Sequence, residues 1–315
     1  MKLSPKAFWG LSILLLGVLP LLIIGGLIYR GDRRQILDHA MIVAIKKNDL
    51  PTVTALLAKG ADPSARDWPP YMEFFGNSLW RGRTNPSAPQ TALMATLQLN
   101  PENLALLKVL LDAGASIDAG NEYGMTALIW AVQGSKRESV RLLIERGADV
   151  NRGDQDGDTA LHSAAGQKDA AIVQLLLAHG ARVNARNSTG VIPLHTAAYS
   201  DQTAIASLLL AQKGALNAPD NSGSTPLDYA AQSGAKECVA ALLKQGARVD
   251  SRDSNGDTPL STAVRYSRPD CVRLLLAGGA LINTTNREKQ TPLSYAVASQ
   301  NKQILKMLTD AGAKK

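Results

Sequence analysis

The chain has 315 residues, is 45% hydrophobic but only 4% aromatic, and carries a net charge of +7. So few rings argue against a sandwich or barrel core and for thin helical layers filled by Leu, Ala, Val and Ile. Residues 1–35 hold +4 of the charge, leaving +3 for the rest; with no dense basic stripe or readout motif, the basic balance points away from nucleic acid.

Residues 1–6 form a short basic tail with Lys2 and Lys6. Residues 7–29 contain no charge and, as a helix, would reach about 34 Å, enough for a hydrocarbon core of roughly 30 Å. Trp9 and Tyr29 sit near the ends, where interfacial aromatics are favoured, and Pro20 is tolerable mid-segment in a bilayer. The run is longer than a signal-peptide core and no A-x-A-like cleavage site follows it. A transmembrane helix is therefore expected over 7–29, followed by a basic juxtamembrane linker, 30–36, with Arg30, Arg33 and Arg34. Two lysines and the terminal amine face three arginines, a near tie under the positive-inside rule. The short basic tail points to a cytoplasmic N-terminus, with the remainder on the non-cytoplasmic, periplasmic or extracellular, side.

Residues 37–66 read as a helix pair, Leu37–Lys47 and Pro51–Lys59. Residues 67–89 then interrupt the pattern with an insertion holding Trp68, Tyr71, Phe74, Phe75 and Trp80, five of the chain's fourteen aromatics. Two readings stay open. The rings pack locally as a self-folded loop; or, with Arg81 and Arg83, they contact a partner or the nearby bilayer.

From residue 91 the chain repeats. TALMAT at 91 is followed by TALIWA at 126, TALHSA at 159, IPLHTA at 192, TPLDYA at 225, TPLSTA at 258 and TPLSYA at 291, the last six spaced by 33 residues. Each unit closes on a phrase such as LLIERGADVN or LLLAHGARVN. Thr suits a helix N-cap and Pro the first helical position. Leu161, Ala164 and Ala165 share one helical face, and Ile172, Val173, Leu175, Leu176 and Leu177 form a stripe on the second helix. Gly180 stands where a left-handed residue ends that helix. Pro51, Pro101 and Pro269 are placed at second-helix starts. The Asn/Asp/Gly stretches between units are turns.

The T-P-L-H-x-A signature at period 33 resembles the ankyrin repeat. The resemblance covers residues 37–315 and implies an all-α solenoid of about eight helix-turn-helix units with hairpin-like fingers, behind one transmembrane helix. It also implies that His162 and His195 tie neighbouring units together by hydrogen bonds. One unit departs from the pattern: Ile192 replaces the capping Thr and Lys213 the helix-ending Gly, so the finger at 214–222 is expected to deviate. The final unit carries Gln300, Asn301, Lys302, Gln303, Lys306 and Asp310, the polar outer face a terminal repeat needs.

Little chemistry is left. His39 and His179 lie singly, without metal-ligand spacing. Cys238 and Cys271 hold equivalent positions one unit apart, too far for a disulfide, and read as free core thiols. Asp154-Gln155-Asp156-Gly157-Asp158 lacks the distal Glu of a calcium loop and reads as a turn. No hydrolase, Walker, zincin or dinucleotide motif is present, so no enzyme, cofactor, metal or small-molecule substrate is expected.

By the resemblance, the finger tips and first helices form one concave face for a protein partner. The positions carried over are Tyr123, Met125, Asp158, Tyr199, Gln232, Arg265 and Tyr266. Trp130, Tyr229 and Tyr295 are expected in the core. The implied function is a membrane-tethered protein-interaction scaffold; the alternative is a regulatory or protective subunit of a membrane-associated enzyme.

Overall fold

The computed structural model describes residues 33–67 and 90–314. The expected transmembrane helix at 7–29 lies outside them, as do Trp68, Tyr71, Phe74, Phe75, Trp80, Arg81 and Arg83. Among the described residues no helix is long and apolar enough to cross a membrane. Those residues are helical, with two isolated bridges, Arg66 to Thr91 and Gly153 to Thr159, and no strand. The chain divides into two compact units, Met1–Ser116 and Ile117–Lys315.

In the first unit, α1 (33–46) and α2 (Leu50–Ala58) precede the insertion, and α3 (Ala92–Leu97) and α4 (Leu104–Asp112) follow it. Met41, Ile42, Ile45, Val53, Leu93, Leu106 and Leu110 are buried as its core. Helix α1 is already formed at 33, the first described residue, inside the expected linker and four residues before the expected 37. Arg33, Arg34 and Gln35 are good helix formers, and Arg34 reaches Asp62 at 2.9 Å. Pro101 is not at a helix start. Asn103 caps α4, its Oδ1 accepting from Ala105 and Leu106 N–H, because its carboxamide serves the free amides better than a proline ahead of them. The insertion leaves and returns at one point: Asp67 N–H donates to Gln90 O at 2.8 Å, and Ala92 N–H to Ala65 O at 2.9 Å.

The second unit is six helix pairs. They are α5 (Ala127–Gln133) with α6 (Arg137–Glu145), α7 (Ala160–Ala165) with α8 (Ala170–Ala178), and α9 (Pro193–Tyr199) with α10 (Thr203–Ala211). Then come α11 (Pro226–Ser233) with α12 (Lys236–Lys244), α13 (Pro259–Arg265) with α14 (Pro269–Ala277), and α15 (Pro292–Ala298) with α16 (Lys302–Asp310). Each helix is nine residues or fewer, too short to hold alone in water, so packing between pairs supplies the stability. First helices stack on first helices and second on second. Leu161, Ala164, Ala165, Ile172, Val173 and Leu176 are buried as the periodicity requires, while Leu175 and Leu177 are half-buried. Gly180 adopts φ +85° and ends α8.

Two hydrogen-bond ladders run across the pairs. Oδ1 of Asp118, Asn151, Asn184, Asn217, Asp250 and Asn283 accepts the backbone N–H of Asp149, Arg182, Ala215, Arg248, Leu281 and Lys314. At the finger tips, the N–H groups of Gln155, Ser188, Asn221, Ser254 and Arg287 donate to the carbonyls of Tyr123, Asp156, Thr189, Ser222 and Asn255. The finger at 214–222 keeps this geometry and does not deviate. Lys213 accepts φ +63° in place of Gly, and Gly214 behind it lets the chain close on Leu209, whose carbonyl takes the Gly214 N–H at 2.8 Å. Ile192 is wholly buried; without a side-chain oxygen it keeps half of the cap, its N–H donating to His195 Nδ1 at 3.1 Å.

Candidate functional site

The first residue after each four-residue motif stands at 130, 163, 196, 229, 262 and 295, and where it is aromatic the sequence places it in the core. The structure corrects that: Trp130, Tyr229 and Tyr295 are half-buried. For the tyrosines the reason is polar. Tyr229 Oη donates to Asp220 Oδ2 at 2.9 Å, and Tyr295 Oη reaches both oxygens of Asp257 at 3.3 Å. Each phenol is thus held on a finger carboxylate, and Tyr295 also packs against the buried core. Burial, then Asp220, pushes the Tyr229 hydroxyl well above its ordinary range.

Around these two rings the exposed aromatics gather. Tyr199 is 51% exposed and stands 6.4 Å from Tyr229, edge to face, while His195 packs against Tyr229 at 4.9 Å. Tyr266 is 42% exposed. Arg265 lies over Tyr266 at 5.5 Å and over Tyr295 at 5.7 Å, and its Nη1 donates to Asp257 Oδ2 at 3.0 Å. Asp257 is almost fully buried and also takes Ser261 Oγ and Asn286 Nδ2, both at 3.2 Å. Tyr199 with Tyr229, on α9 and α11, and Arg265 with Tyr266 and Tyr295, on α13 and α15, thus form two groups along the first-helix row.

The remaining expected positions behave otherwise. Tyr123 is exposed on its own finger. Met125 and Gln232 are half-buried, and the Gln232 carbonyl accepts from Arg268 Nε. Asp158 is half-buried and accepts from Asn187 Nδ2 at 2.9 Å, a bond between successive fingers. Asp257, Tyr229, Tyr295 and Asn286 escape sequence reading as site residues; the signal available is the aromatic recurring at 130, 229 and 295.

The rest of the ionisable chemistry is structural. His162 Nδ1 accepts the Thr159 N–H at 3.1 Å, so Nε2 carries the proton and donates to Val191 O in the next repeat at 3.1 Å. His195 does the same between Ile192 N–H and Ser224 O. Burial holds both imidazoles below their ordinary pKa. Asp228 takes the place of His. Its Oδ2 accepts Thr225 N–H at 2.8 Å and Thr225 Oγ1 at 2.7 Å, while its Oδ1 is buried with no partner among the described residues; burial raises the carboxyl to about 7. Cys238 and Cys271 are buried free thiols, pushed up to about 12 and about 11, chiefly by burial, and are inert as nucleophiles at neutral pH. Asp154 Oδ1 accepts the N–H groups of Asp156 and Asp158, forming the Asx turn the sequence suggests.

A comparison with curated proteins finds no match. The family model of ankyrin repeats (3 copies) matches three overlapping stretches, 92–187, 161–253 and 248–315, which together span more than two thirds of the chain. With the 33-residue period, the stacked helix pairs and the inter-repeat histidine bonds, this places the chain in the ankyrin-repeat family.

Proposed function

We propose that this chain is a scaffold that holds a protein partner on the face made by its first helices and finger tips, tethered to a membrane by residues 7–29. The observation that carries the binding half is a pair of groups exposed along the first-helix row, Tyr199 beside Tyr229 and Arg265 with Tyr266 beside Tyr295. Tyr and Arg are the residue types that dominate interface energetics, since they add large contact area at small entropic cost. No arrangement of nucleophile, base and oxyanion donor accompanies them among the described residues: His162 and His195 spend both nitrogens on backbone groups and the thiols are buried. The tether rests on the uncharged 23-residue stretch and its basic flanks.

Cross-linking and capture with the full chain tests the binding half. Tyr199→Ala with Tyr266→Ala should reduce partner recovery at least ten-fold without altering the melting curve. Unchanged recovery would remove this face from the interface. Alkaline carbonate extraction tests the tether: the full chain should stay with the membrane pellet, and its release into the supernatant would contradict the anchor.

A further inference from the structure

Arg265 is set up differently from a solvated surface arginine. Its Nη1 is committed to Asp257, a carboxylate only 1% exposed. Tyr266 and Tyr295 lie beside its guanidinium plane. The Nε and Nη2 donors have no acceptor among the described residues, and the side chain is 37% exposed. Nε and Nη2 are the side-on edge of a guanidinium, the edge whose two parallel N–H bonds match the two oxygens of a carboxylate. Fixing the rotamer with one buried acid and two rings removes the side-chain entropy that makes an ordinary surface ion pair nearly worthless.

The surrounding charges favour the same ligand. Arg252 donates to the carbonyls of Gly256 and Thr285 and Arg268 to that of Gln232, so each is anchored without being neutralised. Arg287 and Lys289 are exposed on the following finger, with Glu288 between them and Asp253 half-buried in an Asx turn. Asn286, on that finger, is bonded to the same Asp257 carboxylate. At the opposite end of the second unit the fingers carry Glu122, Asp156 and Asp158. An acidic segment is repelled there and drawn here.

Resting on the reading of this face as a protein-binding surface, we infer that its half between residues 225 and 299 takes an acidic peptide segment, one carboxylate of which is held side-on by Nε and Nη2 of Arg265. The flanking tyrosines cover the apolar part of that residue and its neighbours. Orientation follows from the charge gradient: the acidic stretch lies over α11 to α15, and whatever continues over the Asp156 finger is neutral or basic.

Fluorescence anisotropy with the full chain in a mild non-ionic detergent tests this, using a fluorescein-labelled Glu/Tyr peptide and its Lys/Tyr counterpart. The acidic probe should bind the more tightly, and more tightly at low salt than at high salt. Arg265→Lys keeps the charge beside Asp257 but loses the two-pronged edge, and should weaken the acidic probe about ten-fold; Arg265→Gln should weaken it further. Arg265→Lys preserves the ion pair, so it reads binding even if Arg265→Gln, by orphaning Asp257, fails to fold. Equal binding of the two probes, or an acidic-probe affinity unmoved by Arg265→Lys, overturns the inference. The underlying reading fails separately. A natural partner lost on Tyr199→Ala but insensitive to Arg265→Lys keeps the face and discards the acidic anchor. A partner insensitive to both discards the face as well.

Discussion

Three successive repeats carry a titratable residue at one buried position, and they respond to pH in opposite directions. His162 and His195 are neutral because the only free lone pair, on Nδ1, faces a backbone N–H, and burial holds their pKa below the ordinary 6.5. A histidine depressed on folding contributes stability that is present above its unfolded pKa and lost as pH falls below it. Asp228 is raised from 3.8 to about 7, so it contributes stability below about pH 4 that is lost as pH climbs toward 7, on the order of 4 kcal/mol in full. Between pH 4 and 6.5 the two effects oppose each other. Asp228→Asn replaces the acid by a neutral isostere and should remove the decline between about pH 4 and 7, so that the variant outlasts the wild type in thermal melts at pH 8. Parallel melting curves for the two proteins across that range would show that Asp228 ionises freely. His162→Ala should flatten the acid limb instead and cost about 1–3 kcal/mol at pH 7.5, since it leaves the Thr159 N–H and the Val191 carbonyl without their bonds.

At the scale of one helix end, the Lys213–Gly214 pair reverses the Gly–Ala order of its neighbours, Gly180–Ala181, Gly246–Ala247 and Gly279–Ala280. A left-handed lysine costs about 1 kcal/mol relative to glycine. A Cβ on Gly214 would lie 2.7 Å from the Leu209 carbonyl oxygen, which is backbone and cannot swing aside. Lys213→Gly should therefore stabilise by about 0.5–1 kcal/mol in urea unfolding, whereas Gly214→Ala alone destabilises. The double variant, restoring the common order, should lose less than Gly214→Ala alone, because a glycine in place of Lys213 can relax the turn. Such compensation is why the finger at 214–222 keeps its shape against sequence expectation. The legible part of the fold is the part each repeat encodes locally: a Thr-Pro start, a Leu/Ala face, a terminating glycine. Burial along the first-helix row is less legible, because it depends on partners elsewhere in the chain. Tyr229 is fixed by Asp220 nine residues before it, and Tyr295 by Asp257 in the preceding repeat. The helical residues 33–36 escape for a similar reason, Arg34 being held by Asp62.

Across the second unit the energetics are those of a stack, each pair touching its neighbours. One position shows it. Val132, Ala165, Ala198, Ala231 and Val264 occupy equivalent places in the first helices and are wholly buried, whereas Val297 is 61% exposed because no further first helix among the described residues stacks on α15. On α16, Lys302, Gln303 and Lys306 are exposed polar residues. Ending the chain at Glu288 would transfer the exposed role to Val264 and Val272, both fully buried in the intact protein. It would also strip Tyr295 from Asp257 and the Lys314 N–H from Asn283. The expected outcome is graded. Hydrogen exchange should accelerate strongly in α13 and α14 and moderately in α11 and α12, while α5 to α8 keep their protection, since coupling decays from one interface to the next. If α5 to α8 lost protection as fully as α13 and α14, the six pairs would fold as one indivisible unit, and the nearest-neighbour description of this array would have to be abandoned.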